Sequence, residues 1–377
     1  MTRYLVRPAD QFLADAPTLE LGVDGEIGEV AAEGEIGEGP RDADEQAVGI
    51  ACRDDDVGVP EHRFHAFGVV DRATFRERGS PQHVDEFFAG KARLDGVLDV
   101  GHRPYPIGMT TPTTGELRHL LDVAIEAARR GAAELERWRT KFKVREKGRA
   151  DLVTDADHAS QAAVKEVLLG AFPQHQFLGE EECYGKTLAS VRPEPGGPPV
   201  WVVDPLDGTS NYVHDVPAYC VSIGLWLNGT AAVGVILDPR QNELFAAATG
   251  LGATLNGEPM KVSATALVRD SLISTGFPAD YEAQLRNLEA WKKVSFHSQA
   301  LRRSGSTALN LAYVACGRFD GYWAYDNWPW DVLGGAALIL EAGGKVDSVD
   351  GSPFDPFRPD ICATNGPTQA ELLTILA

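Results

Sequence analysis

The 377-residue chain predicts an α+β domain, and three observations carry that reading. Two apolar runs meet at Asn228-Gly229, a strong signal for an antiparallel hairpin. Capped segments of helical period are interspersed with such runs. No G-x-G-x-x-G motif supports a dinucleotide-binding sheet.

The elements begin late. Residues 1–108 hold 22 Asp and Glu against 11 Lys and Arg, a net of −11 out of −20, with Lys91 their only lysine. The stretch Gly25–Glu29 recurs as Gly34–Glu38, and from Asp24 to Asp56 no apolar period of 2 or 3.6 is present. Such a composition buries too little apolar area to offset chain entropy. An acidic, unstructured extension is expected over 1–108, or upstream sequence ahead of a natural start at Met109, with an acidic regulatory arm as the alternative. The domain proper is expected over 109–377.

From there the pattern is regular. Thr113 with Glu116 reads as a capping box, and Leu117, Leu120, Leu121, Ala124, Ala128, Ala132, Leu135 and Trp138 form one helical face. A second helix is predicted from near Asp157 to Gly170, stopped by Pro173. Val200–Val203 reads as a buried strand. Tyr219–Leu227 and Ala231–Leu237 form the hairpin, Leu244–Ala248 extends it, and Asn256-Gly257 marks another turn. A helix over Thr307–Cys316 precedes Gly317. A last long helix over Asp331–Ala342 is closed by Gly343-Gly344.

Composition bounds the function. A net charge of −20 repels nucleic acid and anionic membranes, so neither is an expected partner. No run of eighteen apolar residues is present, and Met1–Pro8 lacks the apolar core of a signal peptide. The five cysteines are scattered and form no C-x-x-C pair, which fits reduced thiols in a cytoplasm. A phosphorylated substrate would also be repelled unless bound cations reversed the sign locally.

The chemistry concentrates in Asp204-Pro205-Leu206-Asp207-Gly208-Thr209-Ser210. Two carboxylates three residues apart follow the apolar run, and Pro205 fixes the chain between them. The Asp204 and Asp207 side chains and the Leu206 carbonyl offer the oxygen ligands that hard divalent cations take. The turn into the following helix offers N–H groups to a phosphate. Three further segments are rich in such groups: Asp151–Asp157, Gly179-Glu180-Glu181-Glu182 and Trp330-Asp331. Each has a plainer reading on its own. Asp204 and Asp207 can cap the next helix, Glu180 and Glu181 can be solvated, and Asp331 can cap the helix that it begins. Gly334-Gly335 within that helix would cost stability, which close packing of backbone against a metal-binding turn would explain.

In that order and spacing the four segments resemble the inositol monophosphatase family, over about Thr113 to the C-terminus. The resemblance implies a layered αβαβα sandwich and a lithium-sensitive hydrolase of small phosphate monoesters. It implies two or three Mg²⁺ ions per site, with Mn²⁺ as a substitute. By resemblance Glu180, Asp204, Leu206, Asp207 and Asp331 hold metal. Asp157 and Thr209 relay the proton of a metal-bound water, and Glu181 supports catalysis from behind Glu180. Gly208, Thr209, Ser210 and Ala324 contact substrate, and Ser304–Ala308 lines the pocket. Lys147 near the substrate and Lys147 as a solvated lysine are equally open. An inositol-1-phosphate-like ester is the expected substrate; many members place a glutamate that bonds sugar hydroxyls where Ala324 stands, which keeps histidinol phosphate and fructose 1,6-bisphosphate as alternatives. A small phosphorylated metabolite is the expected partner, and a homodimer the expected assembly. A non-catalytic regulatory descendant is the rival, but the ligand set is undamaged.

Overall fold

The computed structural model describes residues 112–377 except 149, 150, 184, 279 and 280. The acidic stretch 1–108 and Met109 lie outside the described residues, as does the side chain of Asp151.

Helix α1 (Thr114–Trp138) opens with the expected box: Glu116 N–H donates to Thr113 Oγ1 at 3.2 Å, and Thr113 N–H donates to Glu116 Oε2 at 2.7 Å. Its apolar face is buried from Leu117 to Leu135. A small hairpin of β1 (Val144–Gly148) and β2 (Asp151–Thr154) leads into α2 (Asp155–Ala171). Then come β3 (Gln176–Gly179), a 3₁₀ turn (Glu180–Glu182), α3 (Leu188–Val191), β4 (Val200–Asp207) and the short α4 (Thr209–Val213). Strands β5 (Cys220–Leu227), β6 (Thr230–Asp238), β7 (Glu243–Ala248), β8 (Gly252–Leu255) and β9 (Glu258–Pro259) follow. The second half holds β10 (Leu272–Thr275), α5 (Tyr281–His297), β11 (Ala300–Arg302), α6 (Thr307–Ala315), β12 (Gly321–Ala324) and α7 (Pro329–Glu341). It ends with β13 (Lys345–Asp347), β14 (Ile361–Thr364) and α8 (Gln369–Leu376).

Strands β3 to β9 form a seven-stranded sheet in sequence order, antiparallel except for the β3–β4 pair. Both Asn-Gly turns are two-residue connections with positive φ at each position, 53° and 80° at Asn228-Gly229 and 53° and 85° at Asn256-Gly257. That twist matches the strands which they join. A second sheet, in the order β11-β10-β12-β14-β13, uses strands of three or four residues.

Helices α1 and α2 cover one face of the large sheet. Helices α6 and α7 lie between the sheets, and α5 and α8 cover the far face of the second sheet. The order of layers is αβαβα. Helix α7 is apolar all round, with Val332, Leu333, Ala336, Ala337, Leu338 and Ile339 buried, as a helix between two sheets must be.

Two details differ from the sequence expectation. Strand β4 does not end at Val203 but runs on to Asp207 across a β-bulge: Asp204 pairs with Ser222 and Asp207 with Cys220, so one strand carries an extra residue. Gly334 and Gly335 were expected to admit the backbone of the metal-binding turn. They pack elsewhere. A Cβ on Gly334 would meet Ile223 O at 3.0 Å and Ser222 Oγ at 3.1 Å, and one on Gly335 would run into Leu311 of α6. Facing α7, a Cβ on Gly234 of β6 would collide with the Gly334 carbonyl. The helix is thus seated on bare backbone. Gly234→Ala is expected to cost about 1–3 kcal/mol through overpacking, read by urea denaturation. An unchanged midpoint would show that the contact is slack.

Candidate active site

The bulge in β4 sets the geometry. Parallel pairing aligns Gly179 with Val203, so Glu180 and Asp204 leave neighbouring strands at the same edge. Asp204 is 3% exposed, and its Oδ1 accepts the Leu206 N–H at 3.0 Å, which closes the bulge locally. Asp207, on the far side of the extra residue, turns toward the N-terminus of α6. Its carboxylate accepts from Ser306 Oγ at 2.6 Å, Ala308 N–H at 2.6 Å and Thr307 N–H at 3.2 Å. Ser306 and Thr307, expected only to line the pocket, therefore anchor a predicted metal ligand.

Asp331 enters from α7, where it also accepts the Trp328 N–H at 2.7 Å. Capping and proximity to the other acids hold together here, since one carboxylate offers about four lone-pair sites. Glu180 and Glu181 begin the 3₁₀ turn. Gln161 Oε1 accepts the Glu181 N–H at 3.1 Å, while Glu182 points out to Lys165. Ser160, one position before Gln161 on α2, donates to the Pro205 carbonyl at 2.8 Å. Neither had been singled out, although both follow Asp157 by three and four positions and share its helix face.

The charges conflict. Burial pushes the Asp204 carboxyl well above its ordinary range, and the negative charges of Glu180, Asp207 and Asp331 push it further. Burial also drives Asp331 far up, against the Trp328 N–H and with help from Asp207 and Glu180. Glu180 is raised by burial, against the pull of Lys147 and with a push from Glu181. In Asp207 burial outweighs the donors of α6. Among the described residues no three acidic, His or Cys side chains already stand at cation-holding geometry. The donor set nevertheless suits a hard divalent cation, being all oxygen, buried and mutually repelling.

Thr209 and Asp157 are brought together from α4 and α2. The Thr209 hydroxyl lies 3.3 Å from Asp157 Oδ1 and 3.1 Å from the Leu206 carbonyl, so its single proton has two acceptors. Oδ2 of Asp157 is taken by Thr154, whose N–H and hydroxyl donate at 2.8 and 2.6 Å. Burial, opposed by the Thr154 hydroxyl and assisted by Glu180 and Glu181, pushes the Asp157 carboxyl up to about 7.

A cavity of about 470 Å³ opens beside these acids, with Asp331, Ser306 and Thr307 in its wall. Ser210 and Ala324, two expected substrate contacts, line it; Gly208 and Thr209 do not, and Thr209 joins the acid cluster through Leu206 and Asp157. The rest of the wall includes Asn211, Gln284, Arg303, Tyr325 and Asp326. Arg303 and Gln284 carry no sequence signal, since they come from separate segments joined only by the fold.

A sequence model of the inositol monophosphatase family matches residues 116–377. An inositol-1-monophosphatase of Synechocystis sp. is 43% identical over 265 residues, 70% of this chain and 90% of the relative. The Nus factor SuhB of Pseudomonas aeruginosa is 34% identical over 267 residues, 69% and 96% of the two chains. Among solved structures, the inositol monophosphatase of Anabaena (Nostoc) sp. superposes with a TM-score of 0.59 at 43% identity, covering 69% of this chain and 96% of its own. The chain belongs to the inositol monophosphatase family.

The perturbed Asp157 makes stability depend on pH in a defined sense. An unfolded aspartate loses its proton near 3.9, whereas the folded one keeps it to about 7. Between these values the native state binds more protons, so stability falls as pH rises. Asp157→Asn lacks this loss and keeps an oxygen for Thr154. In EDTA, the variant should gain on the wild type in melting temperature from pH 4 to pH 7. A difference that stays flat over that range would refute the assignment.

Proposed function

We propose that this phosphoric monoester hydrolase releases inorganic phosphate from a small polyol or sugar phosphate, with an inositol-1-phosphate-like ester foremost. The reading takes Mg²⁺, or Mn²⁺ in its place, to be held by Glu180, Asp204, Asp207, Asp331 and the Leu206 carbonyl. What carries it is the meeting of these four acids, drawn from a 3₁₀ turn, a bulged strand and a helix, beside the Thr209–Asp157 pair, with Asp331 in the wall of a cavity.

Two or three bound cations would neutralise the phosphate and acidify a water at this place. The chain's own residues do the rest. Thr209 accepts the water's proton on its hydroxyl oxygen and passes its own to Asp157 Oδ1, 3.3 Å away. Burial raises the Asp157 carboxyl above the ordinary carboxylate range, which suits it to holding that proton. Glu181, fixed through Gln161, steadies Glu180 from behind. The backbone around Gly208, in the left-handed region at φ 97°, turns the chain so that N–H groups of α4 face the phosphate. Ser210 and Ala324 shape the space for the alcohol.

Among the described residues, free thiols at Cys183, Cys220, Cys316 and Cys362 support a reducing, cytoplasmic setting. No described helix is long and apolar enough to cross a membrane. Inhibition by lithium and assembly as a homodimer belong to the same proposal.

The SuhB relatives favour a second reading, a regulatory protein on the same fold. A panel of inositol, sugar, histidinol and nucleotide phosphates, assayed with Mg²⁺ and with EDTA, separates the two. Mg²⁺-dependent phosphate release is expected; none from any ester would leave only the regulatory reading. Asp204→Asn should lower turnover by on the order of 10²-fold or more, while relief of repulsion leaves its metal-free melting temperature equal or higher. Near-normal turnover in that variant would refute the ligand assignment.

Ala324 is 1% exposed and has no carboxylate to grip a polyol hydroxyl. Ala324→Glu is expected to lower KM for inositol 1-phosphate relative to histidinol phosphate. An unaltered ratio would mean that the alcohol is held by another wall of the cavity.

A further inference from the structure

The arm carrying Lys147 is the least integrated strand pair of the fold. Strands β1 and β2 pair only with each other, in a two-stranded sheet of their own. Their register slips once: Glu146 pairs with Leu152 and Gly148 with Asp151, which leaves Lys147 as the extra residue of a β-bulge. A bulged residue is freed from the ladder, and its side chain is re-aimed. Here it is aimed inward. Lys147 Nζ lies 2.8 Å from Glu180 Oε1 and 2.7 Å from Glu181 Oε1, with the lysine side chain only 10% exposed and Glu181 only 3%.

A lysine this deep is not a solvated surface charge. Burial opposes its charge, yet Glu180 and then Glu181 more than restore it. Its attachment is local. Val144 and Arg145 pair with Thr154 and Val153, while the Lys143 N–H and the Arg145 guanidinium both bind Asp155 at the start of α2. Withdrawal of the ammonium would therefore disturb neither large sheet.

We propose that Lys147 is a resident counter-ion of the acidic cluster: its ammonium occupies Glu180 and Glu181 until a divalent cation claims Glu180, and the two cations compete for that carboxylate. The inference rests on the metal-dependent reading above. No bond is made or broken; the exchange moves one ammonium out as one metal ion enters. Competition of this kind is a negative coupling between two cations, and couplings in proteins commonly amount to 5–150-fold in affinity. Because the bulge frees Lys147 from the ladder, an outward swing would leave the rest of the arm paired.

Two measurements on the full chain without substrate test this. Mn²⁺ binding, followed by electron paramagnetic resonance of the free ion, should be about 10-fold tighter in Lys147→Met than in the wild type. Lys147→Arg should stay close to the wild type. Equal or weaker binding in Lys147→Met overturns the proposal. In the wild type, acylation of Lys147 by an amine-reactive reagent, quantified by peptide mass spectrometry, should quicken when Mn²⁺ is added. A rate unchanged or slowed by Mn²⁺ also overturns it, even if the variant does not fold. Should neither wild type nor variant bind Mn²⁺, the metal-dependent reading falls and takes this inference with it. Tight wild-type binding with no effect of Lys147 sinks the inference alone.

Discussion

Electrostatic repulsion confined to a dry place is the constraint around which this molecule is built. Asp204 is buried on a central strand within range of Glu180, Asp207 and Asp331, and each neighbour makes its ionised form less favourable. A fold tolerates such a cluster only when hydrogen bonds and cations offset it. Every acid here has a backbone or side-chain donor assigned to it: the Leu206 N–H for Asp204, the α6 terminus for Asp207, the Trp328 N–H for Asp331 and the Lys147 ammonium for the glutamates. These donors fix where the carboxylates stand, and the repulsion that they leave uncompensated is what a bound cation would offset.

The layers explain how distant segments arrive together. Parallel pairing of β3 with β4 places Glu180 beside Asp204. The extra residue in β4 separates Asp204 from Asp207 and turns the latter toward α6. Helix α7, lodged between the sheets, brings Asp331 from over a hundred residues downstream. Helix α2 contributes Asp157, Ser160 and Gln161 from a single face, so one rigid element holds the Thr209 hydroxyl, the Pro205 carbonyl and the Glu181 backbone. A site built on helices and strands in this manner keeps its tolerances without support from long loops.

Much of this was legible beforehand, for identifiable reasons. The capping box at Thr113, the apolar face of α1 and the two Asn-Gly turns are local rules written in a few adjacent residues, and the fold obeys them. The acidic segments that meet in the site were readable because oxygen-rich motifs follow short apolar runs. The second sheet escaped because strands of three or four residues, such as Gly321–Ala324, are too short to show a period. The bulge escaped because an extra residue is defined only by the partner strand. Ser306, Arg303 and the inward course of Lys147 likewise depend on contacts between segments far apart in sequence. Gly334 and Gly335 were rightly noted as unusual within a helix, but the surface which they fit, β5 and α6, was not the one expected.

The seating of α7 carries a wider implication. Its backbone rests on Gly234 and on the Ile223 carbonyl, with Leu311 pressed against its other side, so its height within the sandwich is fixed by neighbours that never touch an ion. Asp331 rides on that helix. Changes of side-chain volume at Ala336 or Leu333, well inside the apolar middle, would be felt at that carboxylate, because a close-packed interior transmits strain. A cation bound by these acids would therefore have its grip open to adjustment from the hydrophobic interior, with every acidic side chain unchanged.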